Sequence, residues 1–140
     1  MELDGTSGSE GAITVDFDHL PVLRFIIDGH QTEGDAQVYT EAVDRVLAQH
    51  RPYAVLHLVH SFGPSVAMAS AIARWSLTRT KQLRQYCLGG AVITDSGLFS
   101  FFMSSFQLVA PLPAPVYVVP TEEQGMEWIR GQFAARDITL

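Results

Sequence analysis

The chain has 140 residues, of which 47% are apolar and 17% are charged, and its formal net charge is −6. This length fits one domain that buries its own core, and this composition excludes an intrinsically disordered chain. The negative charge argues against a nucleic-acid-binding protein. A single cysteine, Cys87, excludes an intrachain disulfide and favours a reducing compartment, so we expect a cytoplasmic protein of bacterial type.

The charged residues are sorted into blocks along the chain. Ten of the fifteen acidic residues lie before residue 45, and no acidic residue lies between Asp44 and Asp95. That acid-free block carries six cations, namely Arg45, Arg51, Arg74, Arg79, Lys81 and Arg84, and residues 96–121 carry no charge. Because folded domains usually mix both signs over their surface, this sorting predicts a basic patch and an apolar patch that meet a partner or ligand.

The first eleven residues are acidic, rich in Gly and Ser, and contain no apolar signal segment. We interpret residues 1–11 as a disordered tail and residues 12–140 as the single domain. The longest apolar stretch, residues 98–112, is interrupted by polar residues and is too short to cross a bilayer, so no integral membrane segment is expected.

Strand and helix patterns alternate after this tail. Period-two runs and turn residues predict strands at residues 13–17, 22–28, 53–59, 88–94 and 116–119. Four helices are predicted to begin near Thr32, Ser65, Gly97 and Thr121. The first and last have capping-box patterns, Thr32 with Asp35 and Thr121 with Gln124, and the last is expected to turn Met126, Ile129 and Phe133 inward. The order ββαβαβαβα indicates an α/β fold with a mixed sheet, an antiparallel opening hairpin and right-handed crossovers between parallel strands.

The second predicted helix, residues 65–84, has two different faces. Helical spacing places Met68, Ile72, Trp75 and Leu83 inward. Arg74, Lys81 and Arg84 fall within about 80° of one another on another face, with no acid at i±4 to pair with them. They are candidates for an anion or partner contact, and solvated surface charge is the alternative. Arg79 falls on the apolar face, so we expect a structural ion pair with Asp28 or Asp95.

The third predicted helix, residues 97–109, is more apolar than one buried face requires. Its apolar side chains spread over about 220° of the circumference, whereas packing on a sheet needs a stripe of about 100° or slightly more. We therefore predict an interaction surface here, with neighbouring elements covering both sides as the alternative. The candidate residues are Leu98, Phe99, Phe101, Phe102, Met103, Phe106, Leu108 and Val109.

Serines and histidines are the remaining candidates for chemistry. Ser61, Ser65 and Ser96 precede predicted helices, where a serine caps the helix or, alternatively, serves as a phosphosite or partner contact. His57 and His60 point to opposite faces of a strand and do not chelate one metal, so His57 is expected to be a partly buried strand residue. No nucleophile elbow, metal cluster or nucleotide loop is present, so we expect neither an enzyme nor a cofactor.

Several local patterns together resemble the STAS superfamily, particularly its SpoIIAA-like branch. The resemblance covers about residues 12–135 and rests on the strand 22–29, the helix from Thr32, the strand 53–59, the pair Arg74-Trp75, the small-residue strand 89–93 and the closing helix with Glu122, Trp128 and Ile129. It implies a single-domain mixed sheet of about five strands with four helices.

The same resemblance bears on function. Anti-sigma antagonists of that family carry a phosphorylatable serine in an Asp-Ser-Ser-Gly turn after the third strand. This chain has His60-Ser61-Phe62-Gly63-Pro64-Ser65 at that place, and Asp95-Ser96-Gly97 one strand–helix unit later. The resemblance therefore implies a non-catalytic regulatory or protein-interaction module. Its partner would be another protein or a second copy of the chain, and the alternative is a protein that binds a small hydrophobic ligand or lipid.

Overall fold

A computed structural model describes residues 11–61, 66–95, 97 and 114–140. Five strands form one sheet in these ranges: β1 (Ile13–Asp16), β2 (Val22–Ile27), β3 (Tyr53–Val59), β4 (Cys87–Ile93) and β5 (Val116–Val119). Four helices are described: α1 (Glu33–Leu47), α2 (Val66–Thr78), α3 (Thr80–Tyr86) and α4 (Glu122–Ala134). The predicted α/β class and the mixed five-stranded sheet are confirmed.

Some predictions fall on other parts of the chain. The tail up to residue 10, Ser65, Ser96 and, apart from Gly97, the predicted third helix lie outside the described residues.

The strands lie in the sheet in the same order as in the sequence, β1-β2-β3-β4-β5. β1 and β2 form the predicted antiparallel hairpin, with Ile13 opposite Ile27 and Asp16 opposite Arg24. Each later neighbour is parallel, so the carboxyl ends of β2 to β5 share one edge of the sheet. Loops at that edge and loops at the opposite edge therefore form two separate surfaces.

Side chains of the central strands point alternately to the two faces of the sheet and contribute to two apolar cores, one on each face. On the face covered by α1, α2 and α3, buried residues include Phe25 and Val55. On the face covered by α4, Leu56 and Ala91 pack against Ile129 and Phe133. The inward positions predicted for α4 are confirmed, because Ile129 and Phe133 are fully buried and Met126 is partly buried in this second core.

Two glycines allow α4 to approach the sheet closely. A Cβ on Gly125 would lie 2.4 Å from Ile93 Cδ1, and a Cβ on Gly89 would lie 2.6 Å from the Trp128 ring. Gly89 also has a positive φ of 153° and lies where two steps along β3 match three along β4, which is a bulge. A small residue is therefore needed in β4 at position 89, where a larger side chain would collide with Trp128.

The prediction of a single second helix is wrong in one respect, because two helices, α2 and α3, occupy this part of the chain. α2 ends at Thr78 and α3 begins at Thr80, with Arg79 between them at φ −119° and ψ 14°. The Thr80 hydroxyl donates to the backbone carbonyl of Ser76, and that of Thr78 donates to the carbonyl of Trp75. Threonine hydroxyls that bond backward in this way compete with regular helix geometry, which accounts for a break that apolar periodicity does not reveal.

The carboxylate of Asp35 joins the start of α1 to the edge strand. Its Oδ2 accepts the Thr32 N–H at 2.8 Å, as the predicted capping box requires. Its Oδ1 accepts the N–H groups of Ala12 and Ile13 at 2.9 and 3.3 Å. Gly11 lies against the same oxygen, since a Cβ there would be 2.5 Å from it. One buried side chain therefore satisfies backbone donors from two elements.

We predict that Asp35→Ala lowers the free energy of unfolding by about 3 kcal/mol, because it leaves buried backbone N–H groups without acceptors. Urea unfolding followed by circular dichroism measures this loss. Glu33→Ala is the matched control, since this exposed acid lies in the same helical turn and its removal should cost less than about 0.5 kcal/mol. Equal losses in the two variants would contradict the assigned role.

Candidate interaction surface and buried polar network

The exposed side of α2 and α3 carries positive charge beside an apolar side chain. Arg74 and Leu77 lie three residues apart on α2, and Lys81 and Arg84 lie three apart on α3, so each pair is adjacent within its helix. All four are exposed, and 77% of the Leu77 surface is accessible. We refer to these four residues as the basic surface. Its cations are the three predicted from the sequence, although they come from two helices.

The charges of the acid-free block divide into paired and unpaired groups. Arg79 binds Asp44 through two hydrogen bonds, from Nε to Oδ1 at 2.6 Å and from Nη2 to Oδ2 at 2.9 Å. Arg45 places its guanidinium 4.5 Å from the centre of the Phe17 ring. Within the described ranges, no hydrogen bond, ion pair or ring contact involves Arg74, Lys81 or Arg84. Arg51 likewise has no carboxylate partner there, so the unpaired cations of this block are Arg51 and the three cations of the basic surface.

The expected partner of Arg79 was wrong. Neither Asp28 nor Asp95 pairs with it, and the partner is Asp44 on α1. The Trp75 Nε1–H also donates to Asp44 Oδ1 at 3.1 Å, and the Arg79 guanidinium lies 5.6 Å from the Trp75 ring. This cluster joins α1 to α2. Arg79 does form a structural ion pair, and the packing of the two helices determines that its partner is Asp44. Asp44 is the last acid before the acid-free block, which is the only sequence signal for it.

His57 belongs to a stack of three rings beneath α1. Phe25 and Tyr39 stack with ring centres 4.4 Å apart, and His57 lies 5.7 Å from each of them. His57 Nδ1 is 3.2 Å from the Ala91 carbonyl oxygen, which only accepts hydrogen bonds, so Nδ1 carries the proton. Nε2 then accepts the Tyr39 hydroxyl proton at 2.9 Å. The prediction of a partly buried strand histidine is confirmed.

Burial decides the protonation of this stack. It lowers the pKa of His57 to about 4, against a small opposing effect of the Ala91 carbonyl, and it raises the pKa of Tyr39. The pKa of Tyr53 is also raised by burial, and so is that of the Cys87 thiol. At neutral pH all four groups are uncharged. A buried, neutral Tyr–His pair with both ring nitrogens occupied is a structural network, without a free base for catalysis.

Ser61 connects two loops at the carboxyl edge of the sheet. Its hydroxyl accepts the Gly29 N–H at 2.6 Å and donates to Asp28 Oδ1 at 2.9 Å. Gly29 has a φ of 104°, which favours glycine. The structure gives Ser61 this loop-joining role and leaves the residue exposed. The capping and phosphosite interpretations of Ser61, Ser65 and Ser96 stay predictions.

No group of three or more His, Cys, Asp or Glu side chains among the described residues could hold a metal ion. No helix in the same ranges is long and apolar enough to cross a membrane. The predicted apolar candidates all lie outside these ranges, so the apolar interaction surface stays a prediction: Leu98, Phe99, Phe101, Phe102, Met103, Phe106, Leu108 and Val109.

The hairpin, the sequential mixed sheet and the helices on both faces define a SpoIIAA-like α/β domain. A solved structure with this fold is that of an uncharacterized protein of the DUF3478 family from Shewanella loihica PV-4. The two share 16% sequence identity and superpose with a TM-score of 0.60 over 84% of this chain and 91% of the other. No protein-family model matches the sequence. No curated protein matches it significantly. The likeness therefore confirms the SpoIIAA-like fold.

We predict that Tyr39 and Tyr53 respond differently to loss of the hydroxyl. Tyr39→Phe should lower the free energy of unfolding by about 1–2 kcal/mol, because His57 Nε2 loses its donor. Tyr53→Phe should change it by less than about 0.5 kcal/mol or raise it, since the buried Tyr53 hydroxyl interacts only with the Cys87 thiol, a weak hydrogen-bonding group, within the described ranges. Chemical denaturation of both variants measures the difference. A larger loss in Tyr53→Phe would contradict the assigned network.

We predict a pH dependence of stability that comes from His57. The folded pKa of about 4 lies below the unfolded value of 6.5, so only the unfolded state takes up a proton between these values. The stabilisation is complete above pH 6.5 and decreases as the pH falls toward 4. Urea titrations at pH 7 and 4.5 should show roughly 2 kcal/mol more loss for the wild type than for His57→Gln. The exposed His60, changed to Gln, should leave the wild-type slope unchanged.

Proposed function

We propose that this chain is a non-catalytic regulatory module that binds an acidic protein partner through the basic surface. The observation that carries the proposal is that three exposed cations without a bonding partner in the described part of the chain lie on the same two helices as the exposed Leu77, in a chain whose net charge is −6. An isolated exposed cation is ordinary. Three such cations on the helix pair that also carries the most exposed large apolar side chain among the described residues supply both a charge pattern and an anchor.

The two components of the basic surface contribute differently. Burying the Leu77 side chain in a partner is worth about 1.5–3 kcal/mol, which affects mainly dissociation. Exposed charges add little equilibrium affinity, but they steer an acidic partner toward the surface and set the dependence on salt. We therefore assign affinity to Leu77 and partner choice to Arg74, Lys81 and Arg84.

The apolar segment, residues 98–109, is the second part of the proposal. Its breadth of apolar residues supports an additional surface for a partner or for a second copy of the chain. The unpaired Cys87 thiol fits a reducing, cytoplasmic setting. The SpoIIAA-like fold supports a regulatory or interaction role, and the neutral, fully bonded state of the Tyr39–His57 pair supports a non-enzymatic one.

We predict that charge reversal of the basic surface removes its partner. The triple variant Arg74→Glu, Lys81→Glu, Arg84→Glu should lose acidic proteins that the wild type captures from bacterial lysate, as quantified by mass spectrometry. With a purified partner, the association rate should fall by about tenfold or more and lose its salt dependence. Leu77→Ala should instead raise the dissociation rate by about tenfold.

The matched control reverses two exposed cations elsewhere, Arg130→Glu with Arg136→Glu. This control should bind like the wild type. Capture of the same proteins by the wild type, the triple variant and this control would contradict the role of the basic surface.

Two substitutions test the apolar segment separately. Phe102→Asp and Phe106→Asp should leave the circular dichroism spectrum unchanged and abolish self-association or partner capture. Sedimentation velocity distinguishes a dimer from a complex with another protein, and native mass spectrometry detects a copurified lipid, which would favour the small-ligand alternative. A monomeric wild type that captures nothing from lysate would refute the proposal.

A further inference from the structure

A cavity of about 290 Å³ lies at the amino-terminal edge of the parallel strands, opposite the edge that carries Ser61. Its wall combines both apolar cores. Val46 comes from the face covered by α1, and Phe133 and Ile138 come from the face covered by α4. Leu20 and Pro21, in the loop between β1 and β2, form another side. The cavity thus lies where residues from the two faces of the sheet meet.

The size and lining of this cavity fit a small organic molecule. Its volume equals that of roughly ten water molecules at about 30 Å³ each, which matches a ligand of about ten to twelve non-hydrogen atoms. Apolar side chains form most of the wall, so water inside it would find few hydrogen-bond partners. Apolar cavities even smaller than this, at about 150 Å³, bind small hydrocarbons.

Arg51 gives the cavity a preference for a negatively charged ligand. Its exposed side chain lies in the wall, next to Gln49, and within the described ranges it has no carboxylate partner. Arg51 is not needed to cap the end of α1. The carbonyls of Asp44, Val46 and Leu47 there already accept the backbone N–H groups of residues 48, 49 and 50. A planar guanidinium free at the rim of an apolar cavity is suited to a carboxylate.

We propose that this cavity binds a small, mainly apolar carboxylic acid, with its apolar body between Leu20, Val46 and Ile138 and its carboxylate on Arg51. The lining of this cavity shares no residue with the basic surface, so a bound metabolite would act on the module from a second site. The interaction consists of apolar burial plus one charge-assisted contact, without any chemical step.

Isothermal titration calorimetry with 4-phenylbutyrate tests the proposal, and 4-phenylbutanol serves as the uncharged match. For a ligand of this size we expect saturable binding of the acid with a Kd on the order of 1 mM or tighter. The alcohol, and the acid added to Arg51→Gln, should each bind at least about fivefold more weakly. Absence of saturation up to about 10 mM, or equal affinity for the alcohol, overturns the proposal.

Two further variants and one measurement locate the site. Leu20→Trp should weaken binding by about tenfold or more by filling the cavity, and its exposed position allows the larger ring. Methyl NMR shifts on addition of the acid should be confined to Leu20, Val46 and Ile138, and shifts elsewhere overturn the assignment even if Leu20→Trp fails to fold. Arg84→Gln is the control. It should bind the acid normally, which separates this inference from the proposed partner surface.

Discussion

The buried carboxylate of Asp35 is the constraint on which the arrangement of this domain depends. It accepts backbone N–H groups from the edge strand and from the start of α1, so it fixes both the register of β1 and the origin of the helix. Helical geometry then determines everything farther along α1. Tyr39, one turn later, is placed over Phe25 and His57, and Asp44 is placed where Arg79 reaches it.

The position of α1 also determines which groups remain free for a partner. Asp44 neutralises Arg79 and holds the Trp75 indole, so the inner side of the α2–α3 pair is satisfied. The cations on the outer side have no such partner within the described part of the chain. The helix pair is therefore held to α1 on one side and leaves the cations of its other side available to a partner.

The two faces of the sheet are covered by different means. α1 packs through an aromatic stack and an ion pair, whereas α4 packs through glycines that let it approach β4 closely. At the amino-terminal edge, Val46 from one side and Phe133 from the other line a common space in place of making one continuous core. Arg51 is the charged residue in that apolar wall.

Local patterns in the sequence correctly determined the five strands, the opening hairpin, the capping boxes and the inward face of α4, because alternation and capping depend on residues close in the chain. The sequence also indicated the exposed cations Arg74, Lys81 and Arg84. Only the tertiary structure decided the partner of Arg79, the attachment of β1 by Asp35 and the stack around His57. Each of these depends on the distance between elements far apart in sequence, which residue spacing does not encode. The break between α2 and α3 comes from local threonine hydrogen bonds, which apolar periodicity does not reveal. Composition identified the acid-free block without showing which of its charges are already paired.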